Sequence, residues 1–324
     1  MTLKPALDLF KESFKEWKED DALSLGAALA YYTLFSIAPL LLIVIAVAGF
    51  VWGREAVQGQ IVGQVDQLIG HQGGVAIQTM IANAAKQGQG SGVLATVIAA
   101  VTALFGATGV FAQLQKALNQ IWNVEPKPGA GVMAFVKTRI ASFGMILGIG
   151  FLLLVSLVVS AGLSAVNTWM TGLMPGAEVL FTILNFVVSL ALITLLFAMI
   201  YRFLPDVRIA WRDVWMGAFF TALLFTAGKF LIGLYLGRSS VASVFGAAGS
   251  LVIVLLWIYY STQILFFGAE MTEVYARRRG VQIVPDENAV KVRQVKEVVD
   301  PKEKGAPQRP SGTTARHEPG RVSS

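Results

Sequence analysis

Cysteine is absent from the 324 residues. That excludes a disulfide framework, thiolate metal sites and a cysteine nucleophile. Histidine is reduced to two residues. His71 falls in a loop and His317 in a polar tail, so no histidine pair is expected to hold a metal. No Walker A glycine loop, G-x-S-x-G elbow, H-E-x-x-H pair or dinucleotide fingerprint occurs, so no enzyme activity and no cofactor are expected. Charge is scarce as well: 14% of residues are charged, against about 25% in an average soluble domain. With 55% hydrophobic residues and a mean hydropathy of +0.63, the chain does not read as a soluble globular protein.

What charge there is crowds the two ends and a few short loops. The net charge of +6 comes mostly from the tail after residue 276, where eleven Lys/Arg stand against six Asp/Glu. Basic residues flanking apolar spans are the ordinary mark of cytoplasmic loops, so no nucleic-acid partner is expected. The composition is that of an all-α, polytopic membrane protein.

Charge-free runs place the helices, since a bilayer core of about 30 Å takes roughly 20 apolar helical residues. Six spans are expected, at about 28–52, 93–114, 140–166, 179–201, 214–236 and 250–271. They make a membrane domain over 22–276. With the N-terminus inside, the inner segments hold fourteen Lys/Arg and the outer ones three, namely Arg54, Lys86 and Arg238. That asymmetry predicts cytoplasmic termini.

Residues 1–21 are too polar for a signal peptide and carry Leu7, Phe10, Phe14 and Trp17 at helical spacing opposite Lys11, Lys15 and Lys18. An amphipathic helix is expected, lying on the inner leaflet or packed under the bundle. In the outer loop 54–92, Val57, Ile61, Val65 and Leu68 predict one helix. Val75, Met80, Ile81 and Ala84 predict a second, with Gly70, Gly73 and Gly74 breaking the chain between them. This loop is either a lid or a passive hairpin. Residues 277–324 are expected to be a basic cytoplasmic tail, disordered from about 301.

Lys229 is the sharpest candidate for function, an ionisable residue about 10 Å below the outer end of the fifth span at 1.5 Å per residue. Ala222, Thr226 and Gly233 share its face, which suits a cavity or an anionic substrate group. Snorkelling to the outer headgroups is the plain alternative. Asn185 at similar depth and Glu178 at the outer end of the fourth span are its candidate partners. Ser156, Ser160 and Ser164 recur every four residues on one face of the third span. They serve either close helix packing or a polar conduit. Gly144 and Gly148 form a GxxxG in the same span, read as packing. In the first span Tyr31 and Tyr32 suit the inner interface, followed by Ser36 and then Pro39, which frees a backbone carbonyl near Phe35. Glu270 directly follows an unbroken apolar run. It is expected either in a surface charge cluster with Glu273 or partly buried and paired with Arg202, Arg208 or Arg212.

Four segments together resemble one family. They are AYYTLFSIAP (Ala30–Pro39), NQIW (Asn119–Trp122), LPDVRIAWRDVWMGA (Leu204–Ala218) and VFGAAGSLVIVLLWIYYSTQILFFGAE (Val244–Glu270, with Trp257 and Gly268). Across roughly residues 10–280 the chain resembles the YihY/BrkB family of bacterial inner-membrane proteins. The resemblance implies six helices with both ends cytoplasmic, and links to serum resistance and, in some members, to lipid A precursor export. It also implies that an older ribonuclease label is a misassignment, in keeping with the absence of acidic metal ligands here. Two functions stay open: a transporter or flippase-like protein for an amphiphilic, lipid-like envelope component, and a non-transporting envelope scaffold. Membrane lipids are expected partners, and a homo-oligomer is open.

Overall fold

The computed structural model describes residues 3–87, 109–127, 144, 148, 177–238 and 248–292. Helix α1 (Leu3–Glu19) ends with Lys18 in its last turn, where a cation offsets the helix dipole. Asp20 and Asp21 make the turn, Asp21 at φ +54, a left-handed conformation that aspartate tolerates. α2 (Ala22–Trp52) then continues as helix through Pro39 for 31 residues, about 46 Å of helix and enough to cross a bilayer. Gly53, at φ +85, turns the chain into α3 (Arg54–Ile69), and Gly70, at φ +83, into α4 (His71–Gln87).

The expected helical pair of the outer loop is present, but its break is Gly70 alone. Gly73 and Gly74 lie inside α4, where a β-carbon would meet Ile69 Cδ1 at 2.3 Å and Asp66 Oδ1 at 3.1 Å. They are glycines because the two helices approach there. The buried face of α4 is Ala76, Ile77 and Ile81, with Val75 exposed. It packs with Ile45, Val57, Ile253, Val254 and Ile258 in a core shared by α2, α3, α4 and α8.

A helix over 109–121 (α5) leads into strand β1 (Val124–Pro126). Then come α6 (Ala177–Phe203), β2 (Val207–Arg208), α7 (Trp211–Arg238), α8 (Gly249–Arg278), β3 (Val284–Pro285) and β4 (Ala289–Lys291). The last helix extends well past the expected end at 271. The segment after it is not simply a tail, because β4 pairs antiparallel with β1 (Val124 opposite Lys291) and β3 with β2 (Val207 opposite Pro285). Arg208 fastens this clasp through Asp286 at 2.8 Å and Glu287 at 3.1 Å.

The described fold is mostly helical. Four of its helices are long and apolar enough to span a membrane: Ala22–Phe50, Phe181–Phe203, Trp211–Leu234 and Gly249–Arg278. Their outward faces expose Phe35, Phe50, Val179 and Phe230, large apolar side chains that a lipid environment accommodates. Apart from Gly144 and Gly148, the expected third span, Ser156, Ser160 and Ser164 with it, lies outside the described residues, as do most of the second span and the tail from 301. Of the GxxxG pair, Gly144 and Gly148 are both helical, and a β-carbon at Gly144 would meet open space.

Candidate functional site

One end of the bundle gathers the start of α2, the ends of α5, α6 and α8, and the start of α7. There α7 and α8 interlock through a reciprocal pair of glycines and threonines. A β-carbon on Gly217 would lie 1.7 Å from Thr272 Oγ1, and one on Gly268 would lie 1.8 Å from Thr221 Oγ1. Each threonine hydroxyl donates to a glycine carbonyl on its own helix, Thr221 to Gly217 at 2.7 Å and Thr272 to Gly268 at 2.8 Å. Small residues let the backbones close up, and the hydroxyls stay satisfied in an apolar setting. Tyr201 of α6 completes the contact, donating to the Leu265 carbonyl at 2.7 Å, with Thr221 Oγ1 3.1 Å away.

Next to it, Asp206 ties the α6–α7 loop to α5. Its carboxylate accepts from Asn119 Nδ2 at 2.7 Å and Gln115 Nε2 at 3.1 Å, and its backbone N–H donates to Asn119 Oδ1 at 2.8 Å. Trp122, buried against Tyr201 with ring centroids 6.1 Å apart, seals this junction. Three of the four quoted segments therefore meet in space.

Glu270 is in this same end and is only 1% exposed. The arginines expected to pair with it are elsewhere. Arg202 donates to the Ile209 carbonyl and lies over the Trp211 ring, Arg208 belongs to the clasp, and Arg212 is exposed. The acidic neighbour of Glu270 is Asp20, on the turn before α2. Burial, reinforced by the negative charge of Glu16, pushes Asp20 up to about 6. Gln120 Nε2 donates to the Asp20 carbonyl at 3.0 Å, and Gln263 Nε2 reaches the Ala22 carbonyl at 3.4 Å. Around this pair α1 is docked on α8: Arg277 bonds Glu12 at 2.8 Å and Glu16 at 2.9 Å, and Phe10 meets Phe267 with centroids 5.0 Å apart. Asp213, almost fully buried, takes Arg279 at 2.7 Å.

Lys229 is half-buried on α7, and among the described residues it has no ion pair or hydrogen bond. Ala222 on its face is fully buried, and Thr226 Oγ1 is buried without a partner, while the following Phe230 and Leu231 point outward. Asn185 is exposed on α6 and no hydrogen bond joins it to Lys229. The side chain of Glu178 is outside the described residues. Tyr31 and Tyr32 are exposed, Tyr31 stacking toward Phe35 at 4.8 Å, and Ser36 is buried. Trp257 packs edge-on to Phe225 at 6.2 Å, with its indole N–H buried and unpartnered. Asp20, Asn119, Asp206 and Gln263 are the polar residues that spacing did not single out. Asn119, Asp206 and Gln263 stand inside the quoted segments, and Asp20 offers only its place before the first apolar run.

Long apolar helices locked at one end by buried polar contacts define a membrane protein. The chain belongs to the BrkB family: a profile described as Virulence factor BrkB matches residues 13–293. It is similar to the UPF0761 membrane protein of Pseudomonas paraeruginosa, 32% identical over 260 residues, covering 77% of this chain and 58% of the relative. The UPF0761 membrane protein of Azotobacter vinelandii is 28% identical over 277 residues, covering 82% of this chain and 62% of the relative. That of Psychrobacter is 29% identical over 257 residues, covering 78% and 46%. The chain thus spans about half to three-fifths of the length of these curated relatives. No solved structure matches.

Proposed function

We propose that this BrkB-family chain is a multi-pass protein of the bacterial inner membrane that moves an amphiphilic, lipid-like envelope component, and so contributes to envelope integrity and serum survival. In this reading it is not an enzyme and takes no cofactor. Six spans carry it, both termini are cytoplasmic, and α1 is an amphipathic helix at the inner surface. Its partners are membrane lipids, not nucleic acid.

The observation that carries the reading is Lys229. A cation within a candidate span costs at least a few kcal/mol unless water, a dipole or an anion compensates it. Here it is half-buried beside an unpartnered threonine hydroxyl, with no countercharge among the described residues. An anionic headgroup would supply one. The rival reading, a scaffold that organises envelope proteins, draws support from the docked α1 and the strand clasp, which present ordered surface outside the spans.

The test is transbilayer movement of a fluorescent anionic phospholipid in proteoliposomes, followed by quenching of the outer leaflet. The expected result is movement above protein-free vesicles that Lys229→Met abolishes and Lys229→Arg partly restores, since a planar guanidinium replaces a compact ammonium. Equal movement by parent and Lys229→Met removes the anion-binding role. No movement by the parent favours the scaffold.

A further inference from the structure

The arginines at the clasp end of the bundle fall into two groups. Arg208 holds Asp286 and Glu287, Arg277 and Arg278 hold Glu12, and Arg279 holds Asp213. Arg202 and Arg212 differ. Among the described residues neither has a carboxylate partner, and Arg212 has no hydrogen bond. The acids close to them in the chain are already engaged, Asp206 by Asn119 and Gln115 and Asp213 by Arg279.

Both arginines adjoin one aromatic patch. Arg202, in the last turn of α6, sets its guanidinium carbon 6.0 Å from the Trp211 ring centroid, and Arg212 follows Trp211 in the chain. Trp211 in turn meets Phe203 and Trp215, with centroids 5.8 Å and 6.2 Å apart. All three rings are exposed, as aromatic side chains are where a span meets the lipid headgroups.

From Arg212 an apolar strip runs along α7. Met216, Phe219 and Leu223 are exposed, and steps of four, three and four residues keep them on one side of the helix. The strip is about 16 Å long at 1.5 Å per residue, the depth of one leaflet of a bilayer core of about 30 Å. Two free cations at the head of such a strip match a molecule with an anion at one end and a hydrocarbon chain at the other. A guanidinium grips phosphate oxygens through parallel N–H donors. A soluble anion leaves the strip bare, and a zwitterionic lipid brings an ammonium that the arginines repel.

We propose that Arg202, Arg212, Trp211 and Trp215 form a binding site for an anionic phospholipid. Its phosphate sits on the guanidinium groups, and an acyl chain lies along Met216, Phe219 and Leu223. The site is separate from Lys229, which is half-buried further along α7. It stands whether or not the protein moves lipid.

The test is native mass spectrometry of the full chain released from detergent, titrated with phosphatidylglycerol or with phosphatidylcholine of the same acyl chains. The parent should bind phosphatidylglycerol more tightly. Arg212→Gln should weaken that binding about five-fold, the effect of one basic residue near an anionic surface, and leave phosphatidylcholine binding unchanged. Arg202→Gln should act alike. Arg202 also holds the Ile209 carbonyl, so if size exclusion shows that variant misfolded, Arg212→Gln decides alone. Lys15→Gln, on the exposed face of α1, removes the same charge at the same end and should bind phosphatidylglycerol like the parent. An equal loss in Lys15→Gln overturns the site in favour of diffuse attraction. Equal affinity of the parent for both lipids overturns it too, as does parental affinity in folded Arg212→Gln. Displacement of phosphatidylglycerol by inorganic phosphate would make this a soluble-anion site and equally overturn the proposal.

Discussion

Thr272 on α8 occupies the space that a β-carbon at Gly217 on α7 would need, its Oγ1 lying 1.7 Å and its Cα 3.2 Å from that position. The hydroxyl is fixed by its bond to the Gly268 carbonyl, and part of the obstacle is backbone. Gly217→Ala should therefore force the helices apart and destabilise the protein by about 1–3 kcal/mol, the usual cost of overpacking. Thr272→Ser should give no relief because it keeps the oxygen. Thr272→Ala should give partial relief, since Cβ at 2.8 Å remains. Thermal unfolding in detergent distinguishes the three variants, and a Gly217→Ala protein as stable as the parent would contradict the close approach.

Asp206 and Asn119 bond each other in both directions, so neither is dispensable alone. Asp206→Ala leaves the buried Asn119 amide without its acceptor, a cost of about 1–3 kcal/mol. Removing both partners adds no further stranded amide at Asn119, although the Gln115 amide and the backbone N–H of residue 206 still lose their acceptors. The double variant Asp206→Ala/Asn119→Ala should be less destabilised than the sum of the singles, with a coupling of about 0.5–3 kcal/mol. Additive losses in the double-mutant cycle would count against the pairing.

Four of the six expected spans were legible because hydropathy and the absence of charge report directly on helices in lipid, and α2, α6, α7 and α8 contain the expected segments. Their ends were not. Glu270 and Glu273 read as the close of the last span, yet α8 continues to Arg278 because backbone hydrogen bonding is indifferent to hydropathy and Arg277 and Arg278 suit a helix C-terminus. Gly73 and Gly74 read as breakers, while their role is close contact with α3, which only a partner in space reveals. The meeting of Asp20 with Glu270 had no local signal, since the residues are joined by the fold and not by spacing. Lys229 was visible as a charge in an apolar run. Its expected partner Asn185 instead faces outward.

The docking of α1 on α8 should depend on pH with both signs. The Arg277 guanidinium holds Glu12 below its ordinary value. A depressed acid stabilises above its unfolded pKa and loses that contribution as pH falls through the folded one. Asp20 behaves oppositely. Raised to about 6, it stabilises fully below the unfolded aspartate value of about 3.9, and that contribution is lost as pH rises toward 6. Amide hydrogen exchange of α1, corrected for the intrinsic pH dependence, should show greatest protection at about pH 4, where the two ranges meet. Glu12→Gln should remove the acid limb, and Asp20→Asn the limb up to about 6. A flat profile in the parent would refute both assignments.

The absence of cysteine makes the topology directly testable, since any single introduced cysteine is the sole thiol in the chain. Lys15 on α1 and Glu287 in the clasp are well exposed near the basic end of the bundle, and Gln78 is exposed on α4 near the other. The excess of Lys/Arg in the segments assigned inside predicts that the basic end is cytoplasmic. In intact spheroplasts a membrane-impermeant maleimide should label Gln78→Cys, and should reach Lys15→Cys and Glu287→Cys only after permeabilisation. Lys15 and Gln78 lie outside the contacts described above, and Glu287 gives up one exposed ion pair while Asp286 still holds Arg208, so labelling reports sidedness. Labelling of Lys15→Cys or Glu287→Cys in intact cells would reverse the orientation. Labelling of all three would place α4 on the same side as the clasp and refute the expected crossing of α2 and α8 between them.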